Sequence, residues 1–177
     1  MILLKKKNLN KNSISNYISK FASSFENIDE EKLGQLEEEM IKRVNTNKEI
    51  FIIGNGGSAA NANHIAGDYL KTFSLAGLNF KINSLSESTC YLTAASNDID
   101  FSEVYEILIN TRISDGDLLI FLSGSGNSMN LIKAARIANK AGIVTAAIVG
   151  YSGGALKEIV DIPIHIEIED MEIAEDA

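Results

Sequence analysis

Two glycine-rich stretches in this chain have the composition of anion-binding loops. The first, after a short apolar run at residues 50–53, is Gly54-Asn55-Gly56-Gly57-Ser58. Glycines let the backbone turn tightly, and the free amides of a helix that begins here attract an anion. The Ser58 hydroxyl can cap that helix or bind the ligand. A plain turn between strand and helix is the alternative interpretation. The spacing matches neither a dinucleotide-binding fingerprint nor a nucleotide P-loop, so we expect no nucleotide cofactor.

The second stretch places three hydroxyls around two glycines. It follows the apolar run 118–122 and consists of Ser123-Gly124-Ser125-Gly126-Asn127-Ser128. Its serines, with helix-start amides, can bind a phosphate through neutral donors, or they can serve only as turn and cap residues. In a parallel sheet both stretches lie beyond the carboxyl ends of their strands. The sequence therefore predicts one site of sugar-phosphate size.

His64 and Asp68 lie four residues apart on the helix predicted after Ser58. Their side chains share one face near the mouth of the first loop. This spacing suits a metal site or an acid/base pair, and an ordinary helix-surface pair is the alternative. Asn97 and Asp98 follow an apolar, helix-like stretch, and spacing alone gives them no role beyond a turn.

The elements that must position these residues follow an α/β pattern. Two amphipathic helices are predicted first, from apolar residues at helical spacing in 14–25 and 33–44, with Asp29 as the N-cap of the second. Short apolar runs separated by helix candidates then favour a parallel sheet covered on both faces. The predicted strands are 50–53, 80–83, 118–122, 143–149 and 162–168. We predict helices over 1–48 and an α/β domain over 49–177, forming one structural unit.

Composition narrows the class of protein. The chain has 177 residues, 45% of them hydrophobic and 23% charged, which indicates one folded domain. A net charge of −8 argues against direct nucleic-acid binding. The single cysteine, Cys90, excludes an intrachain disulfide and is predicted to be a packed small residue. No apolar run approaches the roughly 20 residues that span a membrane. We therefore expect a cytoplasmic protein without a membrane partner.

Together these motifs resemble the sugar isomerase (SIS) domains of the phosphoheptose isomerase type. The resemblance covers nearly the whole chain and is carried by the stretches 54–58, 96–98, 123–128 and 150–154 with the His64 and Asp68 pair. It implies a three-layer α/β/α sandwich of the flavodoxin-like kind, with a five-stranded parallel sheet and an N-terminal helical arm. It also implies a homotetramer with active sites at subunit contacts.

The resemblance assigns roles to individual residues. The implied sugar contacts are Asn55, Gly56, Gly57, Asn97 and Asp98, with Ser58 and Glu175 also counted as substrate-binding. The implied phosphate contacts are Ser123, Gly124, Ser125 and Ser128. His64 would bind zinc, the family's catalytic, metal-binding glutamate falls on Asp68, and its glutamine ligand falls on Glu175. One zinc ion per subunit is implied.

Two departures from the family pattern bear on catalysis. Asp68 is one methylene shorter than the family's glutamate, and a misplacement of about 1 Å can cost roughly 100-fold in rate. Glu175 replaces a neutral amide, so it would bind a cation more strongly while adding negative charge beside the phosphate.

Residues 171–177 resemble the first turns of the helix that carries the family's catalytic histidine further along. A longer native product is therefore expected.

The implied activity is isomerisation of sedoheptulose 7-phosphate to D-glycero-D-manno-heptose 7-phosphate through an enediol. Asp68 is the candidate base, and no redox cofactor is needed. Two alternatives stay open. One is a non-catalytic SIS-domain protein that binds the replication initiator, since residues 58–62 also resemble the helix start of that class. The other is a phosphosugar sensor that binds without turnover.

Overall fold

The computed structural model describes residues 13–176. Two helices come first, α1 (Ser13–Ser23) and α2 (Glu30–Thr46). The Asp29 carboxylate accepts a hydrogen bond from the Lys32 amide at 3.1 Å, so the predicted N-cap of α2 is confirmed. Helix α2 ends at Asn47, which takes the left-handed conformation and donates its amide to carbonyls of the last turn.

Strands and helices then alternate along the chain. The strands are β1 (Ile50–Gly54), β2 (Ile82–Ser84), β3 (Leu118–Ser123), β4 (Val144–Val149) and β5 (Ile162–His165). The helices are α3 (Gly56–Leu75), α4 (Thr89–Asp98), α5 (Val104–Arg112), α6 (Met129–Lys140), α7 (Gly154–Ile159) and α8 (Met171–Asp176), with a 3₁₀ turn at Phe101–Glu103. The five predicted strands are therefore present.

Three strands are shorter than predicted, the fourth by a single residue because it begins at Val144. The second begins at Ile82, because Phe80 stacks on Phe73 of α3 at a ring-centroid distance of 4.4 Å and does not extend the strand. The last ends at His165, although the Ile166 amide still donates to the Val149 carbonyl at 2.9 Å. These differences lie at strand ends, where the apolar run continues as packed chain outside the hydrogen-bond ladder of the sheet.

All neighbouring strands are parallel, in the order β2-β1-β3-β4-β5. Gly54 at the end of β1 lies opposite Leu122, and Ser123 at the end of β3 lies opposite Val149. The carboxyl ends of the three central strands therefore meet at one edge, which is where both glycine-rich stretches begin.

Each face of the sheet is covered by its own apolar cluster. One face packs against α4 to α7, and the other packs against α2 and α3. Alternate strand residues divide between them, with Phe51, Ile53, Leu119 and Phe121 on the first face and Ile50, Ile52, Leu118 and Ile120 on the second. The predicted three-layer α/β/α sandwich is confirmed.

Two further observations concern the sequence predictions. Cys90 is exposed near the start of α4, whose inward residues are Tyr91, Leu92 and Ala95, so its prediction as a packed residue is wrong. Within residues 13–176, no helix has the length and apolar character needed to cross a membrane.

Candidate functional site

A cleft of about 390 Å³ lies at the carboxyl edge of the sheet, between the two glycine-rich junctions. Helix α3 contributes Ser58, Asn61 and His64 to its wall, the end of β3 contributes Ser123 and Gly124, and α8 contributes Glu175. This is the edge at which the parallel topology predicts a ligand site.

The first junction, between β1 and α3, is stabilised by buried hydroxyls from elsewhere in the chain. The Gly54 amide donates to the Ser86 hydroxyl at 3.1 Å, and the Tyr105 hydroxyl donates to the Gly54 carbonyl. The two hydroxyls lie 2.9 Å apart. Burial raises the pKa of Tyr105, so its hydroxyl stays protonated and remains a donor. A side chain at position 54 would place its Cβ 2.6 Å from the Ser58 carbonyl group, so only glycine fits.

Asn55 begins the turn itself and is the N-cap residue of α3, yet its side chain makes no capping hydrogen bond. Its amide instead forms a reciprocal pair with Asn130 of α6, with two hydrogen bonds of 2.9 Å. Gly56 follows with φ = +55°, a conformation that favours glycine. The first helix amides are therefore not occupied by the Asn55 side chain.

The second junction, between β3 and α6, forms hydrogen bonds within itself. The Ser123 hydroxyl accepts from the Gly126 amide at 3.1 Å, and the Ser125 hydroxyl accepts from the Asn127 amide at 3.2 Å. Each hydroxyl accepts in these bonds and retains its own hydrogen for donation. Ser128 is the N-cap residue of α6 but makes no side-chain capping bond.

His64 and Asp68 are in contact, with 3.3 Å between His64 Nε2 and Asp68 Oδ2. The Lys71 ammonium donates to the other Asp68 oxygen at 2.7 Å. This hydrogen bond and the charges of Lys71 and His64 lower the pKa of Asp68, so the carboxyl group is ionised at neutral pH. His64 lines the cleft, whereas Asp68 lies one turn further along α3, outside its lining.

Glu175 lies across the start of α3. A Cβ added to Gly57 would fall 2.5 Å from Glu175 Oε1, so only a glycine lets the carboxylate approach this closely. The Glu175 carbonyl also accepts from the Asn61 side-chain amide at 2.8 Å. A carboxylate at this position is stabilised by the positive end of the α3 dipole.

The predicted metal ligands are of residue types that bind zinc, but the structure does not bring all three of them together. His64 and Asp68 converge on one position, and Glu175 reaches the same cleft from α8. Among the side chains that the structure describes, no group of three or more His, Cys, Asp or Glu residues is arranged to hold a metal ion.

Comparison with known proteins shows the family to which this chain belongs. The SIS domain model matches residues 15–150. This chain belongs to the SIS domain family. A phosphoheptose isomerase of Trichlorobacter lovleyi is 35% identical over 138 residues, which are 78% of this chain and 70% of that protein.

Solved structures agree with this assignment. The SIS chain superposes on the phosphoheptose isomerase of Neisseria gonorrhoeae with a TM-score of 0.81 and 25% identity, covering 92% of this chain and 86% of that one. A phosphoheptose isomerase from Francisella tularensis has the same fold, with a TM-score of 0.84 at 20% identity and the same coverage.

Some candidate residues of this SIS domain lie outside the cleft lining. Asn97 and Asp98 are exposed at the end of α4, where the Asn97 side-chain amide donates to the Asp98 carboxylate at 2.8 Å. Asn55, Ser125 and Ser128 belong to the bordering loops and not to the lining. Their roles in binding stay predictions.

Sequence reasoning missed four residues that build or line the site. They are Asn61, Ser86, Tyr105 and Asn130. Asn61 has a signal in the sequence, because it lies three residues before His64 on the same helix face. The other three are ordinary core or helix residues whose partners lie far away in the chain.

Proposed function

We propose that this protein is a phosphoheptose isomerase, which converts D-sedoheptulose 7-phosphate to D-glycero-D-manno-heptose 7-phosphate. One observation carries the proposal: a single cleft joins two anion-binding junctions in a chain whose relatives bear that name at about 35% identity. The proposed location is the cytoplasm, which suits a phosphorylated sugar and one exposed, unpaired cysteine.

The phosphate is assigned to the β3–α6 junction. The Ser123 and Ser125 hydroxyls accept from loop amides and can donate their hydrogens outward, and Ser128 has no capping role that would occupy its hydroxyl. The Gly124 backbone and the first amides of the 12-residue helix α6 complete a set of neutral donors. Such a set of neutral donors stabilises the phosphate charge without a lysine or arginine.

The sugar is assigned to the β1–α3 junction, through Asn55, Gly56, Gly57 and Ser58, with Asn97 and Asp98. The first amides of α3 and its dipole can stabilise negative charge that develops on a sugar oxygen. Because Asn97 and Asp98 are exposed away from the cleft, the proposal places them at a subunit contact.

The reaction moves one proton between two carbons. Asp68 takes a proton from C1, the C1–H electron pair forms the C1=C2 bond, and the carbonyl electron pair moves to O2. The hydroxyl proton of O1 is transferred to O2, and Asp68 returns its proton to C2, which leaves the aldehyde at C1. Lys71 keeps the Asp68 carboxyl ionised and therefore able to accept a proton.

Zinc held by His64, Asp68 and Glu175 is the metal part of the proposal. When bound, it polarises the substrate carbonyl as a Lewis acid. The contact between His64 and Asp68 supports it, as does the position of Glu175 on the same cleft. Calorimetric titration with zinc tests it: Glu175→Gln, which restores the family's amide, should weaken binding, whereas Glu158→Gln on α7 should not. Equal affinities would show that the negative charge of Glu175 contributes nothing to zinc binding.

A homotetramer is the proposed assembly. An apolar groove of about 760 Å³ runs between α2 and α3, and its wall includes Leu33, Ile41, Tyr69, Phe73 and Leu78. Three of these are about half exposed, with Leu33 at 46%, Ile41 at 52% and Leu78 at 48%. An apolar surface of this kind is what a subunit contact covers.

The deciding experiment is NMR in heavy water on the purified chain with sedoheptulose 7-phosphate, with and without zinc. Aldose signals carrying solvent deuterium are expected. Asp68→Asn should reduce their rate by roughly 100-fold or more, whereas Asp115→Asn, at the opposite edge of the sheet, should leave it unchanged. Substrate line broadening without turnover would instead indicate a sensor. Retention of the replication initiator without sugar-phosphate binding would indicate a scaffold.

A further inference from the structure

Asn130 is a deeply buried polar side chain near the cleft, with only 1% of its surface exposed. It occupies the first turn of α6, so it belongs to the phosphate junction, but its partner Asn55 belongs to the sugar junction. The two amides exchange hydrogen bonds in both directions, each 2.9 Å long. This pair is a direct side-chain link between the two junctions.

The backbone of α6 determines how the pair is oriented. The Leu131 amide donates to Asn130 Oδ1 at 3.0 Å, so this oxygen cannot exchange places with the side-chain nitrogen. Asn130 Oδ1 therefore faces Asn55 Nδ2, and Asn130 Nδ2 faces Asn55 Oδ1. If the Asn55 amide turned over alone, donor would face donor and acceptor would face acceptor.

We propose that Asn130 is a positioning residue for the sugar, acting through Asn55. It determines which edge of the Asn55 amide donates to a ligand and which accepts, and it fixes the spacing between the junctions. The inference rests on the proposed function, because it takes Asn55 as a sugar contact. Each Asn55 group retains one further hydrogen-bonding position after pairing, one N–H and one lone pair, which matches a sugar hydroxyl that both accepts and donates.

The proposal predicts different effects on binding of the phosphate half and of the sugar half of the ligand. Inorganic phosphate needs only the β3–α6 junction, whose loop is shaped by the Ser123 and Ser125 hydroxyls. A sugar phosphate needs both junctions at the correct spacing. Loss of the Asn130 amide should therefore weaken sugar-phosphate binding and leave inorganic phosphate binding intact.

The test is a double-mutant cycle of Asn55→Ala and Asn130→Leu, with calorimetric dissociation constants for sedoheptulose 7-phosphate and inorganic phosphate, and with KM and kcat. Asn130→Leu should raise KM and the sugar-phosphate dissociation constant by roughly tenfold. The constant for inorganic phosphate should change less than about twofold. In the Asn55→Ala background, Asn130→Leu should have no further effect, because its action passes through Asn55.

Two variants separate positioning from loss of structure. Asn139→Leu removes another hydrogen-bonded asparagine, at the far end of α6, and should leave both dissociation constants unchanged. Asn130→Ala removes the same two hydrogen bonds to Asn55 without adding bulk or a buried charge. It should also raise KM, and it decides the matter if Asn130→Leu does not fold.

Two results would overturn this inference without refuting the proposed function. One is an Asn130 penalty that persists undiminished in the Asn55→Ala background. The other is an equal loss of affinity for inorganic phosphate and for the sugar phosphate. A wild-type chain that neither binds nor isomerises sedoheptulose 7-phosphate would refute the proposed function itself, and the inference with it.

Discussion

The two junctions that border the cleft keep their shape by different means. The β3–α6 loop has two hydroxyls of its own, on Ser123 and Ser125, that accept from amides three and two residues further along. Helix α7 also holds this loop, because the Leu156 amide donates to the Gly126 carbonyl at 3.0 Å. The β1–α3 loop is stabilised by Ser86, Tyr105 and Asn130, which lie in other elements. The phosphate end of the cleft is thus held by its own hydroxyls and by one helix, α7, whereas the sugar end depends on side chains from three separate parts of the domain. Distant substitutions should therefore affect sugar recognition before they affect phosphate binding.

The largest effect is expected at Gly126, where the second loop packs against the start of α7. Gly126 has φ = +63°, and an added Cβ would lie 1.9 Å from the Gly153 carbonyl oxygen. Left-handed strain of about 1–2 kcal/mol and a clash with rigid backbone should together lower the free energy of unfolding by about 3–4 kcal/mol in Gly126→Ala.

Gly56 provides the matched control in the first loop. Its φ is +55°, but nothing lies within 4 Å of an added Cβ. Gly56→Ala should therefore lose only the conformational part, about 1–2 kcal/mol. Urea denaturation of both variants measures the difference. Equal losses would mean that the second loop shifts to admit a methyl group and is not held against Gly153.

The second effect concerns the hydroxyls that stabilise the first loop. Tyr105→Phe removes one of the two hydroxyls that donate to the Gly54 carbonyl, the other being that of Ser86, and should lower the free energy of unfolding by about 1–2 kcal/mol. Because Gly54 precedes the sugar-binding turn, KM for the sugar phosphate should rise several-fold, while the dissociation constant for inorganic phosphate stays unchanged.

Tyr91→Phe separates this role from general stability. The Tyr91 hydroxyl donates to the Val104 carbonyl at 2.9 Å, and neither residue belongs to a junction. A similar loss of stability without any change in KM is expected. If both variants raise KM alike, the Tyr105 hydroxyl has no specific influence on the sugar end. Thermal denaturation and steady-state kinetics provide the two readouts.

The same contrast explains how much could be predicted from the sequence. The sheet follows from apolar runs separated by helices, since both features are local. The β3–α6 loop was predictable for the same reason, because its glycines and hydroxyls lie within six residues. The Cys90 prediction rested only on the general burial preference of cysteine, and that preference does not say which face of α4 is inward.

The bonds that stabilise the first loop had no local signal. Ser86, Tyr105 and Asn130 lie 32, 51 and 75 residues from their partners. Their residue types are common in cores and helices. The pairing of β2 with β1 brings Ser86 to the turn, and the packing of α5 and α6 onto the sheet brings Tyr105 and Asn130 there. Likewise, no spacing in the sequence indicates that the Glu175 carboxylate lies against Gly57. Local chemistry was predictable, and its remote supports were not.

The smallest effect on stability is expected at Ser128, together with a clear loss of phosphate affinity. A serine that caps a helix typically contributes about 1 kcal/mol, but Ser128 makes no side-chain capping bond. Ser128→Ala should therefore change the free energy of unfolding by less than about 0.5 kcal/mol. Because its hydroxyl is assigned to the phosphate, the dissociation constant for inorganic phosphate should rise roughly five- to tenfold.

Asp29→Ala is the opposite case and serves as the control. The Asp29 carboxylate does cap α2, through the Lys32 amide at 3.1 Å, and it belongs to neither junction. Its loss should cost about 1 kcal/mol and leave phosphate binding unchanged. Denaturation and calorimetric phosphate titration measure both variants. If Ser128→Ala instead behaves like Asp29→Ala, Ser128 is a helix cap, and the β3–α6 loop binds phosphate through its other donors.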